Sequence, residues 1–252
     1  MKVRMYNVGF GDCFCLRDRK KSLLVDFGTN NSRIEGHPRR EIFDVIISDL
    51  STIKSKNLLL THFHMDHLSG LLYMMKKKDI SVDFGKIYLP DVFSKKEMSR
   101  TLVLLLLADL LKESGLPSRQ VSLFALVDAL LENKQNVELL SRGKLFENKY
   151  QALWPDTDVI RKETDEVYNR ICEDGKFKEV MDVLLEFAEK LRRIVWSMTA
   201  EGKKPAETVE KETDSTAAEL AEQPEVRQKI IRAYVYEREF RRIKALPDFK
   251  KL

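Results

Sequence analysis

Apolar residues in the first 95 positions come in short bursts separated by polar loops, the pattern of strands. "KVRMYNVG" and "DCFCLRD" alternate apolar and polar positions, as half-buried strands do. "SLLVDFG" predicts a third strand that stops at Gly28. "NLLLTH" and "KIYLPDV" are apolar runs bounded by polar residues, which predicts buried strands. Between these two runs, "HLSGLLYMMKKK" predicts a helix whose last-turn lysines complement its dipole. The period changes from Lys95. "KKEMSRTLVLLLLADLLKESG" and "SRQVSLFALVDALLEN" predict a helical hairpin over 95–133, broken at "SGLPS". Two short strands follow, "NVELL" and "YQALW", around the turn-like "SRGK".

After "WPD" the chain becomes charge-rich with apolar residues at helical spacing, as in Val180, Val183, Leu184, Phe187 and Leu191. That spacing predicts long amphipathic helices over 160–198 and 225–246. Between them, a stretch with few large apolar residues predicts a flexible linker over 200–225. The expected organisation is therefore a β-containing region over 1–156 and a helical region over 157–252.

Composition narrows the partners. Charged residues reach 33% and hydrophobic residues 43%, enough for a sizeable core with exposed helices. The 44 basic and 40 acidic residues leave a net charge of +4, too even to argue nucleic-acid binding by itself. Three cysteines, Cys13, Cys15 and Cys172, do not make a disulfide framework. The N-terminus lacks the apolar core of a signal peptide, and "TLVLLLLADLL" is too short for a membrane span, which takes about 20 residues. The expectation is a cytoplasmic protein without a membrane.

"LLLTHFHMDHLSG" concentrates His62, His64 and His67, three of the chain's four histidines, around Asp66. His62 and His64 lie two apart at a strand end, so an extended backbone sends both to the same side. Asp66 and His67 approach from the first turn of the following helix. Imidazole nitrogen with carboxylate oxygen suits Zn²⁺, one or two ions, with Mn²⁺ or Fe²⁺ as alternatives.

"THFHMDH" with the following "LSG" resembles the H-x-H-x-D-H signature of the metallo-β-lactamase superfamily. "NVGFGDCFCL" is similar to the strand-turn-strand opening of that fold, and "LLVDFG" to the segment that leads to the metal loop. "ALWP" resembles a later strand of the branch that includes the hydrolase-like domain of bacterial DNA-uptake channel proteins. The resemblance covers roughly 1–156. It implies an α/β (α+β) fold, the N-terminal half of an αββα sandwich, followed by a long-helix insertion or appendage. It also implies that His62 and His64 bind a first metal and that Asp66 and His67 bind a second. Asp66 would further orient the attacking hydroxide as the catalytic residue, and Asp26 would stand behind the ligands and steer them. The loop holding His37, Arg39 and Arg40 borders the active site in the family. These residues are expected either to meet an anionic substrate or to be solvated.

The family completes its site with a bridging aspartate and a further downstream histidine. No histidine follows His67 here, and no strand ending in "TGD" follows "ALWP". The missing part is expected from downstream sequence or a partner subunit, or the chain is a degenerate member that binds. Asp12, in the "GFGD" turn, is expected either to support the ligands from behind or to serve turn chemistry. Cys13 and Cys15, spaced C-x-C, are expected as buried strand residues rather than a redox pair or a further metal site. The function expected is a metal-dependent hydrolase directed at a phosphodiester or nucleotide, with nucleic acid as a candidate substrate. The alternative is a non-catalytic half-fold that acts as a protein-interaction scaffold.

Overall fold

The computed structural model describes residues 1–18, 21–77, 83–113, 122–173, 175 and 177–203. The described chain forms two compact units, one of 1–90 with 125–140 and one of 91–124 with the residues from 141 onward. The boundary read from the sequence at 156 falls inside the second unit. The expected helix over 225–246, and all of the 200–225 linker beyond 203, lie outside the described residues.

The first unit is built on strands β1 (Lys2–Met5), β2 (Phe14–Asp18) and β3 (Lys21–Val25), followed by the two-residue strands β4 (Arg33–Ile34) and β5 (His37–Pro38). Helix α1 (Arg39–Ser51), strand β6 (Ser55–Leu59), helix α2 (Met65–Lys76) and strand β7 (Ile87–Pro90) come next. Beyond α3 (Ser99–Glu113), the first unit resumes with most of α4 (Ser122–Glu132) and ends on β8 (Val137–Leu140). One sheet runs in the order β1-β2-β3-β6-β7-β8. β1, β2 and β3 pair antiparallel, and β3, β6, β7 and β8 pair parallel. The two crossovers β3-α1-β6 and β6-α2-β7 step in the same direction across the sheet, and α1 and α2 touch. Phe27, Phe43, Leu58, Leu60, Leu68 and Leu71 are fully buried, so the core lies directly beneath the histidine-bearing loop. This is a mixed α/β architecture with a six-stranded sheet, consistent with the half-sandwich expected from the resemblance.

The edge strand β1 has two unlike faces. Arg4 reaches Asp49 of α1 at 2.8 Å, and Arg17 of β2 reaches the same carboxylate at 2.6 Å. The Tyr6 hydroxyl donates to Asp49 as well. On the opposite face Val3 and Met5 are 60% and 71% exposed, and their cross-strand neighbours Leu16 and Phe14 are only half-buried. Apolar surface therefore spreads over this side of the sheet edge without a cover among the described residues.

In the second unit, α3 buries Leu102, Val103, Leu106 and Leu107 and packs on α5 (Thr157–Glu173) and α6 (Lys178–Ser197). Each leucine removed from water in this way contributes about 1.5–3 kcal/mol. Helix α6 presents Val180, Leu184, Phe187, Leu191 and Val195 as one buried stripe, the helical period read from the sequence. "YQALW" does not join the main sheet. Tyr150–Gln151 (β10) pairs with Leu145–Phe146 (β9) in a separate two-stranded ribbon. Its turn puts Glu147 and Asn148 at φ 52° and 57°, the mirror-image geometry that suits the twist of hairpin strands.

Candidate metal centre

The centre is assembled where β3 and β6 end side by side, at the carboxyl edge of the parallel sheet. The register aligns Val25 with Leu59, so the next residues, Asp26 and Leu60–Thr61, leave the sheet together. The Asp26 N–H donates to the Leu59 carbonyl at 2.8 Å. Asp26 adopts φ +54°, an uncommon conformation for a residue with a side chain, and its carboxylate is turned back towards the histidine loop. That carboxylate is almost wholly buried, yet it is fully satisfied. Oδ1 accepts the Thr61 N–H at 2.8 Å. Oδ2 accepts the Thr61 hydroxyl at 2.7 Å and lies 2.9 Å from His67 Nδ1. A buried carboxylate needs such partners to offset its lost hydration.

The "GFGD" turn and the "DFG" corner hold the histidine loop by its backbone. The Asp12 N–H donates to the Asp66 carbonyl at 3.3 Å, and the Gly28 N–H donates to the Asp12 carbonyl at 3.2 Å. The Phe27 N–H donates to the His67 carbonyl at 2.7 Å, and Gly70 N–H returns to the Phe27 carbonyl at 2.8 Å. Only glycine tolerates this closeness at position 11, where a Cβ would stand 2.2 Å from the Gly28 carbonyl oxygen and 2.7 Å from that of Asp66. Ser69 completes the junction by accepting the Thr29 N–H at 2.9 Å and donating to its carbonyl at 3.0 Å.

On this frame His62, Asp66 and His67 converge. Each offers one ligand atom, and these atoms lie within 4.8 Å of one another. The rings of His62 and His67 are 3.8 Å apart between centroids, and His67 Nε2 faces Asp66 Oδ2 at 3.7 Å. Burial, with His67 and then His64 alongside, pushes the His62 imidazole below its ordinary pKa. It is therefore neutral at pH 7, as a metal ligand must be. Two imidazoles and a carboxylate at this spacing fit a divalent cation such as zinc, which takes about three protein ligands at a catalytic site. The geometry differs from the expectation at His64. This residue is the N-cap of α2, with φ −79° and ψ 152°, and is exposed. Its ring contacts that of His62 at 4.8 Å, but it does not join the ligand cluster. Its carbonyl accepts the His67 N–H at 3.0 Å to start the helix.

The Asp12 backbone closes the junction, and its Oδ2 lies 3.6 Å from His67 Nδ1, so that Asp12, Asp26 and His67 form a second acidic group beside the first. His37 and Arg39 stand elsewhere. His37 is exposed on β5 and meets Glu41 at 3.1 Å, while Arg39 begins α1 and donates its N–H to the Ser32 carbonyl at 3.0 Å. No contact joins either to the cluster among the described residues. Cys13 and Cys15 are buried in the first unit, and burial pushes the Cys13 thiol well above its ordinary pKa, which keeps it inert. Sequence reading passed over Thr61, Ser69 and the two glycines. The one signal for Thr61 was its position directly before the first histidine.

Residues 6–91 match the metallo-beta-lactamase superfamily. The matched segment contains every residue of the centre, from Asp12 to His67. Its match does not select a branch of the superfamily. The chain is also 32% identical over 77 residues to the endoribonuclease YSH1 of Mycosarcoma maydis. The aligned stretch is 31% of this chain and 8% of that protein, so it spans a small part of the relative's length. No solved structure matches. Among the described residues, no helix is long and apolar enough to cross a membrane.

Proposed function

We propose that this chain carries the zinc-binding half of a phosphodiester-directed hydrolase, with nucleic acid or a nucleotide as the substrate class. The observation that carries the reading is the convergence of His62, Asp66 and His67 at the carboxyl edge of β6, braced by Asp26. The superfamily match and a relative named as an endoribonuclease support it. A divalent cation held there supplies Lewis acidity and lowers the pKa of water to near 7. The chain's own residues do the rest. His62 and His67 would hold the ion through imidazole nitrogens, Asp26 fixes the direction of the His67 ring, and Asp66 would orient the attacking water through a carboxylate oxygen.

Ligand counting says what else is needed. A two-metal hydrolase requires a bridging group to hold its ions about 3.5–4 Å apart, and the described cluster holds one carboxylate on its inner side. The remaining ligands come from a downstream segment or a partner subunit. The uncovered apolar side of β1 and β2, with Val3 and Met5, is the surface such a segment would cover.

The test is metal content with turnover. The 252-residue chain should bind about one zinc, lose it in His62→Ala, and hydrolyse bis-p-nitrophenyl phosphate slowly. A segment or subunit that completes the site should raise both occupancy and rate. The added rate should vanish with chelator and with Asp66→Ala. A folded chain that binds no zinc, or turnover indifferent to chelator and to Asp66→Ala, would refute the proposal.

A further inference from the structure

Thr61 joins the two halves of the centre through one hydroxyl group. Its Oγ1 lies 2.7 Å from Asp26 Oδ2 and 3.0 Å from His62 Nδ1. A hydroxyl has one proton to give and lone pairs with which to accept. Asp26 Oδ2 accepts the Thr61 hydroxyl and also faces His67 Nδ1 at 2.9 Å. The hydroxyl proton therefore goes to Asp26, and the Thr61 oxygen is left able only to accept from His62. We infer that Thr61 is a positioning residue that fixes His62 as the Nδ1–H tautomer, leaving the Nε2 lone pair for a metal.

The same logic holds from the other side. Asp26 takes the Nδ1 proton of His67, so the Nε2 of His67 also keeps its lone pair, towards Asp66. The order of hydrogen bonds is His62 Nδ1–H to Thr61 Oγ1, Thr61 O–H to Asp26 Oδ2, and His67 Nδ1–H to the same Oδ2. One buried carboxylate thus sets both imidazoles, His67 directly and His62 through the threonine. The backbone of Thr61 also donates to Asp26 Oδ1 at 2.8 Å, so a substitution confined to the side chain leaves the loop anchored.

This inference rests on the metal-centre reading for its purpose, but its test stands without metal. In chelator-treated protein, long-range proton–nitrogen NMR reads the tautomer of each imidazole. Wild type should show both His62 and His67 as Nδ1–H. Thr61→Val, which keeps the side-chain shape and removes the hydroxyl, should move His62 to a mixture of tautomers while His67 stays unchanged. Thr61→Ser should restore the wild-type pattern. Zinc affinity should fall on the order of tenfold in Thr61→Val and recover in Thr61→Ser, at the low end of what partners of metal-binding histidines contribute. His62 found as Nε2–H in wild type, or unchanged in Thr61→Val, would overturn the inference. A wild-type protein with the expected tautomers and no zinc affinity would sink the hydrolase proposal alone.

Discussion

Replacing Gly28 by alanine puts a methyl group against the first turn of α2. The new Cβ would stand 2.6 Å from the Leu68 nitrogen and 2.7 Å from both the carbonyl carbon and oxygen of Asp66. Ordinary non-bonded contacts to carbon lie near 3.5–4.0 Å, so the strand end and the helix start must part by about 1 Å. The obstacles are backbone atoms, which no rotamer change can move aside. Overpacking of this kind costs about 1–3 kcal/mol. At about 2–4 °C per kcal/mol for a chain of this size, the melting temperature should fall by about 2–12 °C. The same displacement moves Asp66 and His67 relative to His62, so zinc affinity should fall more than stability alone explains. Melting followed by circular dichroism, with zinc titration at a temperature where both proteins are folded, separates the two effects. Gly175→Ala is the control, since nothing lies within 4 Å of its Cβ position. Gly28→Ala with unchanged melting and unchanged zinc affinity would show that the corner does not hold the ligands.

Asp26→Asn replaces an acceptor of three donors by a group with its own N–H, leaving Thr61 or His67 opposed by a donor. It should lower stability by about 1–3 kcal/mol in urea titrations and weaken zinc binding; a neutral outcome would remove Asp26 from the brace. His62→Ala should reduce zinc content far more than His64→Ala, because only His62 stands in the ligand cluster; equal losses by elemental analysis would return His64 to the ligand set. Burial holds the Cys13 thiol protonated well above its ordinary range, so the folded chain keeps a proton that the unfolded chain releases above about pH 8.5. Stability should thus be level below that pH and fall as pH rises, by up to about 1.4 kcal/mol per unit. Cys13→Ala should flatten this fall, and a slope that persists would point elsewhere. Burial, then the Asp49 contact, raises the Tyr6 phenol, so Asp49→Ala should let Tyr6 ionise at lower pH in an ultraviolet titration; an unmoved tyrosine would deny the contact.

The elements most legible in the sequence were those whose period was unambiguous. "SLLVDFG", "NLLLTH" and "KIYLPDV" became β3, β6 and β7, and the leucine-rich run over 102–107 became the buried side of α3. Helix α1 was missed because "EIFDVIIS" is rich in β-branched residues, which suit a strand as well as a helix. The ribbon of β9 and β10 was half seen, since its strands are two residues long and depend on left-handed turn residues rather than on any apolar period. At the centre, the cluster of His62, Asp66 and His67 was legible by residue type and spacing. His64 carried the same signal, and its ring lies 4.8 Å from that of His62, outside the cluster. Thr61 and Gly28 were silent because their roles are contacts to residues 35 and about 40 positions away, and only the parallel pairing of β3 with β6 creates them.

The satisfied carboxylate of Asp26 has a thermodynamic consequence for metal exchange. In small zinc domains the ligands are gathered by the ion, so binding energy and folding energy are the same quantity and chelators denature the protein. Here the side chains are gathered by protein–protein bonds: three donors on Asp26, and the Phe27–His67 and Asp12–Asp66 backbone links. The centre is prepaid by the fold. Removing zinc should therefore leave the protein folded, and adding it should raise the melting temperature by the mass-action term set by its free concentration. Such a site can be emptied and reloaded, or exchanged for another divalent ion, while the sheet around it stays intact.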